Sequence, residues 1–140
     1  MKKCMFLFLL VSALAAYPFY GATEASDVLK SARFFAIGGI GRAGMISNQE
    51  NALRTILKRK EAVARFHSLL STATPSGQLY ALLGLKLLSA EDFERCAEPY
   101  LESVAKVDTF QGCIEQPMAV STIAHRIETG YYPRSEFIKP

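Results

Sequence analysis

Thr74-Pro75-Ser76-Gly77-Gln78-Leu79-Tyr80-Ala81-Leu82-Leu83-Gly84-Leu85-Lys86-Leu87-Leu88 joins a sharp helix start to a helix with almost no polar side. The threonine hydroxyl can cap, and a proline at the first helical position gives up only an N–H that had no partner. Leu79, Tyr80, Leu82, Leu83, Leu85, Leu87 and Leu88 leave so little polar surface that the segment belongs at the centre, with neighbours on more than one side. Gly84 in its middle costs about 1 kcal/mol relative to alanine unless a close neighbour needs the space.

Working outward, apolar residues recur three and four apart and strict alternation is nearly absent, which predicts helices rather than strands. A first helix is expected over 26–37, with Val28, Leu29, Ala32, Phe35 and Ala36 as its stripe, ended by the cluster Gly38-Gly39-Ile40-Gly41. Ser47 and Glu50 have the spacing of a capping box, in which the serine accepts from the third helical N–H and the glutamate reaches back to the serine N–H. Leu53, Ile56 and Leu57 form the core face of that second helix, and Val63, Phe66, Leu69 and Leu70 continue the pattern. Beyond the central segment, Ser89 and Asp92 open a helix carrying Phe93, Cys96 and Ala97, with a kink or break expected at Pro99. Residues 106–112 read as extended or irregular. Pro117 starts a last helix through Val120, Ile123, Ala124 and Ile127, with Gly130 as its stop. The expected fold is all-α, a small helical bundle or short α–α hairpin array of five to six helices.

Phe66-His67-Ser68-Leu69-Leu70, the corner Thr74-Pro75-Ser76-Gly77 and the run Tyr80-Ala81-Leu82-Leu83-Gly84-Leu85 together resemble the two helices and turn of a HEAT or armadillo-type repeat. The resemblance covers one unit, whereas stacked arrays need several to bury their faces. Taken whole, the chain is also similar to a family of exported bacterial proteins, on the glycine cluster and the Thr-Pro-Ser-Gly-Gln-Leu-Tyr-Ala-Leu-Leu-Gly run. That resemblance implies export and carries no activity with it.

Export is also what the first residues predict. Lys2 and Lys3 precede an apolar stretch from Met5 to Ala16, and Ala13-Leu14-Ala15 places small residues where a signal peptidase requires them. The expected organisation is a signal peptide at 1–16, a linker at 17–25, a helical domain at 26–130 and a tail at 131–140, with no stable membrane insertion after processing. Pro18 and Gly21 interrupt the stretch where a spanning helix would continue. Losing Lys2 and Lys3 lowers the formal charge from +3 to +1, too little for the one-sided basic footprint of a nucleic-acid partner. Losing Cys4 leaves Cys96 and Cys113, which an oxidising compartment predicts as a disulfide whose loop closure would contribute about 3 kcal/mol. The destination is periplasmic or secreted.

Gly39-Ile40-Gly41-Arg42-Ala43-Gly44 matches G-x-G-x-x-G letter for letter, yet a dinucleotide fingerprint needs a strand before it and a helix opening within it. A turn or close-packed loop is expected instead, with Gly39, Gly41, Arg42 and Gly44 able to hold a carboxylate or phosphate if their N–H groups are free. His67 and His125 lack metal-ligand spacing, although Ser121, His125 and Glu128 share one helical face. The composition and spacing therefore assign no catalytic residue, no cofactor and no metal ligand. Lys58, Arg59, Lys60 and Arg65 form a basic run diluted by Glu61, and the aromatic tail Tyr131, Tyr132, Pro133 and Phe137 is expected to dock on its own domain. The functional expectation is a non-enzymatic binding or scaffolding protein whose partner is another envelope or extracellular protein. The alternative is a small-ligand binder or hydrolase using the glycine loop and a histidine.

Overall fold

The leucine-rich segment forms helix α4, Pro75–Leu88, and every other layer is arranged around it. The computed structural model describes residues 20–138, so the leader read at 1–16 lies outside the described residues. The remaining elements are α1 (Tyr20–Lys30), β1 (Phe34–Phe35), α2 (Asn48–Leu57), α3 (Ala62–Thr72), α5 (Ala90–Leu101), β2 (Lys106–Gln111), β3 (Ile114–Ala119), α6 (Val120–Glu128) and α7 (Arg134–Phe137). Helix α4 touches α1, α2, α3, α5, α6, β1 and β2. Leu79, Tyr80, Leu82 and Leu85 are wholly buried in consequence.

Two glycines let the neighbours come this close. A Cβ on Gly84 would sit 2.4 Å from the Phe66 ring of α3, so the helix-propensity cost of this glycine is the condition for α3–α4 packing. A Cβ on Gly77 would lie 2.0 Å from the Leu29 carbonyl oxygen, where α1 crosses the start of α4. Thr74 fastens that crossing. Its N–H donates to Lys30 O (3.0 Å), and its hydroxyl donates to Ala32 O (2.6 Å) while accepting from Gly77 N (3.2 Å). The corner before α4 thus satisfies carbonyls that α1 leaves without helical partners.

The all-α expectation is overturned by a three-stranded mixed sheet of order β1-β2-β3. Strand β1 pairs parallel with β2, Phe34 opposite Asp108, and β2 pairs antiparallel with β3 from Lys106–Ala119 to Gln111–Ile114. In β2 the period is two: Val107 and Thr109 are buried while Lys106 and Asp108 are exposed. The first helix ends at Lys30 rather than continuing to 37, because Phe35 leaves the helical path to pack on Tyr80 with ring centroids 4.7 Å apart. The last helix begins at Val120, and Pro117 lies within β3. Val120 N donates to Ala105 O at 2.8 Å, which fixes the ladder phase. The pair Asp108–Pro117 then falls at a non-hydrogen-bonded position, with the proline nitrogen on the free edge, where it costs no ladder bond. The chain does not break at Pro99, which lies inside α5.

The predicted Cys96–Cys113 disulfide is not formed. Cys96 is half-buried on α5 and Cys113 is exposed in the β2–β3 turn, both as free thiols. Strand β2 intervenes between them and extends about 20 Å at the usual rise, which carries Cys113 away from α5. A disulfide tolerates a Cα separation of only about 7 Å.

Candidate functional site

The glycine segment folds as a small, exposed hairpin closed by backbone bonds. Ile40 N donates to Met45 O (2.9 Å), Met45 N to Ile40 O (3.0 Å), Gly44 N to Gly41 O (3.2 Å) and Gly41 N to Gly112 O of the β2–β3 turn (2.9 Å). Gly41 and Gly44 adopt φ of 71° and 60°, and a Cβ on Gly39 would lie 2.8 Å from Gly44 O. Those glycines thus serve turn geometry and close backbone approach. Of the proposed ligand loop, Gly41 and Gly44 have their N–H groups occupied internally, while Arg42 is exposed.

Glu50 anchors the same loop from α2. Ser47 accepts from Glu50 N (3.0 Å) as the capping box predicts. The buried carboxylate, however, does not turn back to Ser47; it accepts from Gly38 N (2.7 Å) and from Arg54 Nε and Nη2 (3.0 and 2.6 Å). Arg54 in turn donates to Glu136 O and lies over the Phe137 ring at 4.8 Å, which holds buried Phe137 of α7 against α2.

The two histidines do not converge on this loop. His125 is exposed and pairs with Glu128 through Nδ1 (3.1 Å). Ser121 lies one turn earlier on α6, its N–H donating to Ser103 O (3.3 Å), and no bond joins it to His125 among the described residues. His67, on α3, reaches across to α5. Its Nε2 lies 3.0 Å from Asp92 Oδ1, and its Nδ1 lies 3.8 Å from Cys96 Sγ. Asp92 is set by the N-cap of α5, where Ser89 Oγ accepts from Asp92 N (3.3 Å). The Ser89 hydroxyl and then His67 hold the Asp92 carboxyl below the usual carboxylate range, and Arg95 Nη2 adds a contact at 2.8 Å. Asp92 and Cys96 are four apart and share a helical face. That much was legible in the chain; the arrival of His67 from α3 was not.

A different face of α5 forms a shallow groove against α6. Phe93, Ala97 and Leu101 make its floor, and Glu94, Glu98, Glu102 and Glu128 line it, enclosing about 200 Å³. The spacing of Glu94, Glu98 and Glu102 puts three carboxylates along one edge of the helix, and Glu128 supplies the facing one from α6. The basic run lies elsewhere, at the α2–α3 corner, where Lys58 and Lys60 are exposed and Arg65 is paired with Glu61 (3.0 Å). Backbone and arginine bonds hold the Glu61 carboxyl low. Among the described residues, no helix is long and apolar enough to cross a membrane. No protein-family model matches the chain, and no curated protein or solved structure gives a significant match.

Proposed function

We propose that the chain is an exported, non-enzymatic binding protein whose α5–α6 groove takes a cationic, partly apolar segment of another envelope or extracellular protein. One observation carries this reading: a shallow groove floored by Phe93, Ala97 and Leu101 and lined by four glutamates, of which Glu128 is paired with His125 while the Lys86 ammonium lies over the Phe93 ring. Such a surface attracts a segment with lysine or arginine at its edges and a small apolar anchor between them, and it repels an acidic one. Solvated rim pairs contribute about 0.2–1 kcal/mol each, so four give specificity and salt dependence more than raw affinity. Export rests on the leader at 1–16. The alternative, a small-ligand binder or hydrolase using the glycine loop and a histidine, is less favoured, because Gly41 and Gly44 spend their N–H groups inside the fold while His67 pairs with Asp92 and His125 with Glu128.

The test is fluorescence anisotropy with two labelled amphipathic peptides of equal hydrophobicity, one lysine-rich and one glutamate-rich. The expected result is binding of the lysine-rich peptide alone, weakened roughly 10-fold or more in the Glu94→Lys, Glu98→Lys double variant, as two reversed rim pairs imply. Equal binding of both peptides, or an unchanged affinity in the double variant, would refute the reading. Self-association of the protein that the same double variant abolishes would assign the groove to a second copy, through Lys58-Arg59-Lys60, and would overturn the assignment to another protein.

A further inference from the structure

We propose that His67, Asp92 and Cys96 form a thiol-exchange site, in which His67 takes the proton from Cys96 as its sulfur attacks a disulfide. The site is independent of the groove, since Asp92 and Cys96 face α3 whereas Glu94, Glu98 and Glu102 face α6, so either assignment can fail alone.

The argument begins with the imidazole tautomer. An ionised Asp92 accepts from Nε2 at 3.0 Å, so the neutral ring carries its proton there and leaves the Nδ1 lone pair bare. That bare nitrogen is the one facing Cys96 Sγ at 3.8 Å. A nucleophile, a base within reach of it and a third group orienting the base is the arrangement that activates a thiol. Asp92 does not move freely: the Ser89 cap and Arg95 fix it on α5, while His67 is half-buried on the facing helix.

The surroundings choose among thiol reactions. Acyl transfer needs N–H donors aimed at a developing oxyanion. Cys96 lies in the interior of α5, where neighbouring backbone N–H groups are engaged in the helix. Exchange at sulfur needs no such donors, because charge passes from one sulfur to another. The step balances without an external oxidant. The Cys96 S–H proton moves to His67 Nδ1, a bond forms between Cys96 Sγ and one sulfur of the disulfide, the S–S bond breaks, and the departing thiolate takes the proton from His67. The product is a mixed disulfide on Cys96 and one free thiol.

The full chain carrying Cys4→Ser and Cys113→Ser isolates Cys96, and Cys4→Ser with Cys96→Ser isolates Cys113. Each is mixed with dithiodipyridine at neutral pH, following the released thione and the mass of the mixed disulfide. Cys96, although half-buried, is expected to react at least about 10-fold faster than the exposed Cys113, since general-base assistance of about 100-fold or more outweighs a roughly tenfold loss of access. Adding His67→Gln to the Cys96-only chain should remove that advantage, and Asp92→Asn should reduce it by freeing the ring to place its proton on Nδ1. Far-ultraviolet circular dichroism and melting temperature establish that these variants are folded. A conserved melting temperature with a lost rate is the pattern that a packing role for His67 does not produce. Should Cys96 react no faster than Cys113, or should folded His67→Gln keep the wild-type rate, the proposal is overturned. If His67→Gln does not fold, the comparison of Cys96 with Cys113 decides alone.

Discussion

The hydroxyl of Tyr80 offers a quantitative test of how α4 holds the sheet. It donates to Ala36 O and accepts from Ala36 N, each at 2.9 Å, and both residues are buried. One side chain thereby satisfies both polar groups of the residue that follows β1. Replacing Tyr80 with phenylalanine keeps the ring stacked on Phe35 but leaves a buried N–H and a buried C=O without this partner. At about 1–3 kcal/mol for each of the two groups so orphaned, the variant should lose roughly 2–6 kcal/mol at pH 8, measured by urea unfolding. The same hydroxyl gives a pH signature. Burial pushes Tyr80 up to about 12 from 10, with the bonds to Ala36 and Ser47 offsetting part of that rise. Because the folded value exceeds the unfolded one, the contribution is intact below pH 10 and is lost as pH rises from about 10 to 12. By pH 11 the stability gap between wild type and Tyr80→Phe should narrow by about 1 kcal/mol. Tyr100 and Tyr132 are also raised by burial, but both are present in the two proteins and cancel in the difference. A loss below about 0.5 kcal/mol at pH 8, or a gap that stays constant from pH 9 to 11, would refute the two-bond clamp.

Further predictions test the contacts on either side of it. Gly77→Ala should be more damaging than Gly84→Ala, because the obstacle at Gly77 is the Leu29 backbone carbonyl, whereas at Gly84 it is the Phe66 ring. Overpacking of about 1–3 kcal/mol, less the gain of about 1 kcal/mol in helix propensity, leaves Gly84→Ala destabilised by up to about 2 kcal/mol in chemical denaturation. Phe66→Leu in that background should recover part of the loss. Glu50→Ala should cost about 2–4 kcal/mol, toward the low side for a broken buried pair because Arg54 keeps some solvent access. Glu50→Gln, which can still accept from Gly38 N, should cost less, and equal losses would show that the loop contact is immaterial. Thr74→Ala should cost about 1–2 kcal/mol in melting experiments as a lost cap, with additional loss from the unsatisfied Ala32 carbonyl.

How much of this was legible depends on how local each signal is. Ser47, Thr74 and Ser89 accept from the N–H groups three residues on, because a cap needs only its own turn. The burial of α4 was legible for the same reason: its composition leaves no polar face to expose. The sheet was harder. Lys106-Val107-Asp108-Thr109-Phe110 does alternate, and Gly112 with Cys113 makes a two-residue connection with glycine first, a hairpin signal in a segment read only as extended or irregular. Its partners hid the rest. Phe34-Phe35 is too short to show any period, and Pro117 in β3 looks like a helix start unless the ladder phase is known. The capping-box glutamate fails in an instructive way: its spacing is right, but Gly38 and Arg54 offer a buried carboxylate more partners than the serine N–H does.

Helix α5 shows why function is less legible than fold in this chain. One twelve-residue helix with its C-terminal cap, Glu102, presents three surfaces: Phe93 and Ala97 into the core, Asp92 and Cys96 toward α3, and Glu94, Glu98 and Glu102 toward α6. Periodicity assigns residues to faces but not faces to neighbours. Cys96 read alone suggests a partner cysteine, yet the side chain that meets it is an imidazole from a helix 29 positions earlier. The same ambiguity separates the two proposed activities. The groove depends on the charges that α5 shows to solvent and should respond to ionic strength. The thiol site depends on the docking angle of α3 on α4, which Gly84 permits by admitting Phe66. Folded Gly84→Ala protein should therefore slow disulfide exchange at Cys96 while leaving the affinity for a cationic peptide unchanged. If both fall together in folded protein, α5 is acting as one surface and the division drawn between its faces is wrong.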